Sequence, residues 1–151
     1  MKIREKTTVV TRVNGAGVSH SKLDASVRDL NFAIDEPEAR GGTNTGPSPT
    51  ETALAALAGC TNVIGNRCAE ALGLNVGHLN ISIECDFDRR GVTLAEEIDV
   101  PSIAVRQHVT CDGPVNEADL VKLAAEVDKY CPLAKLFAGS GTKLETTWAK
   151  A

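Results

Sequence analysis

Five cysteines, at positions 60, 68, 85, 111 and 131, are the residues of this 151-residue chain best suited to chemistry. Cys131 stands directly before Pro132 at the start of a short apolar run, so it reads as the N-cap of a helix with proline at its first position. A thiol there faces unsatisfied amides and the positive end of the helix dipole, which favours its thiolate. Lys135, one turn on, adds a cation on roughly the same side. From position alone, a reactive thiol and a small buried cysteine both stay open. Cys60 lies among alanines in the middle of a helical stretch and shares a face with Ala53, Ala56, Val63 and Arg67. There, packing is the simpler role. Cys68, Cys85 and Cys111 fall on apolar faces and read as core. The chain has no Cys-x-x-Cys pair, and His20, His78 and His108 are remote from the cysteines in sequence, so no zinc site is signalled and neither metal nor cofactor is expected. Gly139-Ser140-Gly141-Thr142-Lys143 lacks the glycine spacing of a phosphate loop.

Composition narrows the partners. With 16 Lys+Arg against 20 Asp+Glu the formal charge is -4, so the chain as a whole offers no phosphate-binding field. Its five aromatic residues, Phe32, Phe87, Phe137, Tyr130 and Trp148, are too few for a base-stacking platform. No nucleic acid and no membrane partner are expected. Met1 to Thr8 carries charge and hydroxyls where a signal peptide places its apolar segment. The longest apolar run, Ala53 to Cys60, is far short of the roughly 18 residues that span a bilayer. A cytoplasmic location follows, where thiols stay reduced.

The elements that position these thiols can be read from periodicity. Strands are expected over Thr7–Val13 and Val18–Leu23 around an Asn14-Gly15 turn, with a third over Leu30–Ile34. Asp35 to Pro49, with three prolines and three glycines, is a long loop. Ser48-Pro49-Thr50-Glu51 reads as a capping box, with Glu51 reaching back to the cap's amide, and opens a helix from Pro49 to Leu72 closed by Gly73. Its first half is small or apolar all round, which predicts burial on several sides. Alternation places strands over His78–Phe87 and Ile103–Cys111, joined by a charged stretch, 88–101, that reads as a solvated loop. Asn116 opens a second helix to about Lys129, Cys131-Pro132 a third to about Phe137, and Lys143–Trp148 forms the last strand. The order ββαββααβ after an opening strand predicts one α+β domain over residues 1–151, its antiparallel sheets wrapped around a long central helix.

Two segments resemble the signatures of the OsmC/Ohr family. Gly46-Pro47-Ser48-Pro49-Thr50-Glu51-Thr52-Ala53-Leu54-Ala55-Ala56-Leu57-Ala58-Gly59-Cys60-Thr61 is similar to its proline-opened helix ending in a cysteine. Cys131-Pro132-Leu133-Ala134-Lys135 is similar to its second motif, about seventy residues on. The resemblance covers essentially the whole chain. It implies an OsmC-like fold and an intertwined homodimer with active sites at the interface. It also implies a thiol peroxidase that reduces an organic hydroperoxide substrate, with Cys60 peroxidatic, Cys131 resolving, and an external dithiol reductant. In the hydroperoxide-resistance branch an acid follows the proline and works with an arginine. Here Thr50 takes that position and Glu51 stands one step later, while Arg12 and Arg40 are both candidates for the arginine. The chain thus resembles the OsmC-like branch more closely, and a non-catalytic small-molecule-binding or redox-sensing stress-response dimer is the alternative.

Overall fold

The computed structural model describes residues 6–151. They fall into two units, one ending at Ala53 and the other running from Leu54 to Ala151. The charged opening segment considered above begins in residues 1–5, which lie outside the described residues.

The first unit holds a three-stranded antiparallel sheet, β1 (Asn14–Gly17), β2 (Leu23–Val27) and β3 (Leu30–Ile34), in that order. The hairpin sits later than expected. Asn14 and Gly15 are not a turn but strand residues paired with Ser26 and Ala25, and residues 6–13 carry no strand. The turn lies at 18–22 because Ser19 can organise it: its hydroxyl accepts from the amides of Ser21 (3.3 Å) and Lys22 (3.1 Å), while Val18 N–H donates to the Lys22 carbonyl. The β2–β3 turn is shorter, with Arg28 at a left-handed φ of 55°.

After β3, the loop to Ser48 is organised by a buried charge. Asp35 is fully buried, and its carboxylate accepts from the Ser21 hydroxyl, the Glu36 amide, and both amide and hydroxyl of Thr43 and of Thr45. The Thr43 hydroxyl is the main reason its carboxyl is held well below the usual carboxylate range; burial opposes this, and the Glu36 and Thr45 donors add to it. A breaker-rich segment thereby keeps one path.

Helix α1 (Pro49–Ala71) begins as the capping box predicts. Glu51 N–H donates to Ser48 Oγ at 3.3 Å, and Ser48 N–H donates to Glu51 Oε2 at 2.8 Å. Gly73, left-handed at φ 70°, ends it by donating to the Glu70 carbonyl.

The second unit contains the sheet β4 (Leu79–Phe87), β5 (Ser102–Cys111) and β6 (Lys143–Lys150), with β5 central. β4 and β5 pair antiparallel, but β5 and β6 run parallel, with Val105 opposite Leu144 and Val109 opposite Trp148. This corrects the all-antiparallel expectation. The chain between β5 and β6 carries α2 (Glu117–Tyr130) and α3 (Pro132–Gly139), and such a helical crossover returns the next strand in the same direction. Asn116 and Asp119 form the reciprocal cap of α2.

The core of this unit joins Leu57, Cys68 and Ala69 of α1 with Val105 and Cys111 of β5 and Leu120, Leu123 and Val127 of α2. Leu57 and Leu123 are fully buried, each contributing about 1.5–3 kcal/mol. Only one stripe of α1 is buried, Leu57, Thr61, Gly65, Cys68 and Ala69, whereas Ala55, Ala56, Gly59 and Val63 are exposed. The expected burial on several sides is therefore absent within the single chain. Residues 88–101 form an exposed loop tied by Arg90 to Asp88 (2.7 Å) and Glu96 (2.8 Å). Among the described residues, no helix is long and apolar enough to cross a membrane.

Candidate functional site

Cys131 joins two helices. Its amide donates to the Val127 carbonyl and closes α2, while its own carbonyl accepts from Lys135 N–H and starts α3. The extended backbone (φ -73°, ψ 108°) is what a residue before proline adopts. The fully buried side chain caps α3, its Sγ accepting from Ala134 N–H at 3.4 Å. The predicted N-cap role is thus met. Lys135 is exposed.

The Sγ atoms of Cys60 and Cys131 lie 3.3 Å apart, with the Cys131 thiol donating to Cys60. Both are free thiols. A disulfide would need the sulfurs to close by about 1.3 Å more. Cys131 belongs to the same buried core as Leu57, Leu123 and Val127, and Cys60 is packed against that core along with Leu54, Ile64, Leu133 and Phe137. Burial pushes the Cys60 thiol up; the Leu133 amide, in the first turn of α3, works the other way, and the adjacent Cys131 adds to the rise. Cys60 is half-buried, whereas Cys131 is sealed. Of the two residues, Cys60 is the more exposed. Gly59, beside it, has open space where a side chain would begin.

The other three cysteines belong to packing. Cys68 and Cys111 are buried, Cys85 is half-buried against the same core, and burial pushes the thiols of Cys68 and Cys111 up.

Glu51 and Arg40 belong to the first unit. Glu51 is held below the usual carboxylate range first by the Ser48 amide, then by the Ser48 hydroxyl, with a smaller contribution from the charge of Arg40. Arg40 itself is exposed and pairs with Glu36 at 2.6 Å. Arg12 lies in the irregular segment before β1. From sequence, unsatisfied amides are expected to face Cys131, and the Ala134 amide is one of them; the Leu133 amide acting on Cys60 is the one not named there. The signal was present, since a helix opening at Cys131-Pro132 must aim its first amides toward whatever caps it. Among the described residues no group of three or more His, Cys, Asp and Glu is placed to hold a metal ion.

The OsmC-like protein family model matches residues 42–147. An OsmC-like protein from Mycoplasma pneumoniae has a similar structure, with a TM-score of 0.80 at 17% identity, covering 95% of this chain and 98% of that one. So has an organic hydroperoxide resistance protein OsmC from Legionella pneumophila, with a TM-score of 0.72 at 15% identity over 95% and 99% of the two chains. The organic hydroperoxide resistance protein OhrB of Bacillus subtilis gives 0.67 at 17% identity over 93% and 98%. At these identities the likeness establishes the fold alone. No curated protein sequence matches the chain.

Proposed function

The chain belongs to the OsmC-like protein family, and from that premise we propose that it is a cytoplasmic, homodimeric thiol peroxidase reducing organic hydroperoxides with Cys60 and Cys131. The observation that carries this is the 3.3 Å contact between two thiols 71 residues apart in sequence. The Cys60 thiolate attacks the distal oxygen of the peroxide, the O–O bond breaks, and the alkoxide leaves with a proton as an alcohol. Cys60 is then a sulfenic acid. The Cys131 thiol attacks that sulfur, the hydroxyl departs as water, and the Cys60–Cys131 disulfide closes. An external dithiol restores both thiols by exchange and is itself oxidised to a disulfide. In this scheme the half-buried cysteine attacks and the fully buried one resolves.

Glu51 and Arg40 enter as candidates for raising the thiolate population of Cys60. The family model runs across the boundary between the two units, which supports treating residues 1–151 as one OsmC-like domain. Similar structures whose names include organic hydroperoxide resistance support the substrate class.

Hydroperoxide consumption by reduced protein, with a dithiol supplied in excess, tests the proposal. Cys60→Ser should lose all consumption above the dithiol blank; a variant that still turns over would exclude Cys60 as nucleophile. One observation favours a second reading, a non-catalytic small-molecule-binding or redox-sensing dimer: burial pushes the Cys60 thiol up rather than down. Such a protein would show no turnover in the wild type either.

A further inference from the structure

The buried stripe of α1 is Leu57, Thr61, Gly65, Cys68 and Ala69. On it, aliphatic side chains and a glycine supply shape but little to stop the helix from turning or sliding against the sheet. Gly65 brings the helix close, since a Cβ there would meet Leu79 at 2.9 Å and Trp148 at 3.2 Å. Thr61 is the stripe's one hydroxyl. It is almost fully buried, and its Oγ1 donates to Gln107 Oε1 at 3.0 Å, in the middle of the central strand β5. Gln107 is also buried and hands the tie on, its Nε2 donating to Thr146 Oγ1 of β6 at 3.4 Å. A threonine inside a helix ordinarily bonds back to its own backbone, as Thr52 does to the Ser48 carbonyl. Thr61 instead spends its hydroxyl on the sheet.

Thr61 is the residue next to Cys60. One step along a helix turns the side chain by about 100° and rises 1.5 Å, so the bond that fixes Thr61 against β5 also fixes where Cys60 projects. The Cys131 sulfur is held independently, by the Ala134 amide and by the junction of α2 with α3. Two separately anchored elements must therefore bring their sulfurs together, and α1 has one directional anchor among the residues of its buried stripe. We infer that Thr61, through its hydrogen bond to Gln107, is the positioning residue that holds Cys60 in register with Cys131. The inference rests on that pair being the working disulfide.

Its test needs no peroxide. Full-length wild type, Thr61→Val, Thr61→Ser and Gln107→Met are equilibrated with mixtures of reduced and oxidised glutathione. One oxidised glutathione takes two electrons from the two thiols, giving the protein disulfide and two reduced glutathiones. The fraction of Cys60–Cys131 disulfide is read by peptide mass spectrometry after quenching, and urea unfolding of the reduced proteins is run alongside. Thr61→Val keeps the shape and loses the hydroxyl, so the equilibrium constant for disulfide closure should fall by about tenfold. Gln107→Met removes the acceptor and should produce a similar fall. Thr61→Ser keeps the hydroxyl and should stay within about twofold of wild type even where its unfolding midpoint drops. Equal constants in all four proteins would overturn the inference, as would Thr61→Ser falling as far as Thr61→Val. If Thr61→Val does not fold, an unchanged constant in Gln107→Met overturns it alone. A wild type that closes the disulfide with glutathione but consumes no hydroperoxide removes the peroxidase proposal and leaves this one standing; a wild type whose disulfide never closes overturns it.

Discussion

Cys60 would have to act as a nucleophile from a place where burial pushes its thiol up. The sign has two consequences. At neutral pH its thiolate fraction lies below that of a free cysteine, and raising the pH populates it. Because the folded state favours the neutral thiol, the associated stability is fully present below the unfolded thiol's pKa and is lost as pH rises through the folded value. Alkylation of Cys60 by iodoacetamide, followed site by site with mass spectrometry, should therefore keep accelerating past about pH 8.5, where a free cysteine is half ionised. A plateau reached below neutrality would show instead that a cation or further donor lowers the thiol in solution. Cys131 has a separate signature. In Cys131→Ser the sulfenic acid has no resolving thiol, so excess hydroperoxide should carry Cys60 on to the sulfinic acid, seen as two added oxygens on the Cys60 peptide.

At the scale of elements, the cap of α1 separates structure from activation. Ser48 is buried, and its hydroxyl takes the Glu51 amide, so Ser48→Ala should cost about 1 kcal/mol in urea unfolding. Glu51→Gln retains an acceptor for the Ser48 amide. If Glu51 only caps the helix, that variant should keep most of the stability and all of the hydroperoxide rate; a rate that falls while stability holds would place Glu51 in the activation of Cys60. The same helix shows what was legible from sequence. A reciprocal side chain–backbone cap is local, so Ser48-Pro49-Thr50-Glu51 and Asn116 through Asp119 could be read from spacing alone, as could the Cys131-Pro132 start of α3. The first hairpin could not. Asn14-Gly15 has strong turn chemistry, yet Ser19 supplies the turn and pairing with Ser26 and Ala25 draws Asn14 and Gly15 into a strand. The parallel return of β6 was also hidden, because strand periodicity carries no direction. So was Asp35, whose carboxylate gathers donors from Ser21, Thr43 and Thr45, residues 8 to 14 positions away. At the candidate site the N-cap place of Cys131 is legible from spacing, whereas Cys60 reads as packing apart from the family resemblance, and their contact depends on tertiary packing across 71 residues.

At the scale of the whole molecule, α1 leaves Ala55, Ala56, Gly59 and Val63 exposed on the helix that carries Cys60, a surface that the proposed homodimer would cover. Val63→Glu places a charge there and should convert a dimer to a monomer by light scattering at micromolar concentration. A wild type that is already monomeric would remove the dimer from the proposal. The chemistry at the centre of the account is tested most directly by adding one equivalent of cumene hydroperoxide to reduced protein, trapping free thiols at once, and mapping disulfides by mass spectrometry. The prediction is loss of the peroxide with a single new Cys60–Cys131 linkage and with Cys68, Cys85 and Cys111 still alkylated as thiols. Cys60 and Cys131 recovered as thiols with the peroxide unconsumed would contradict it.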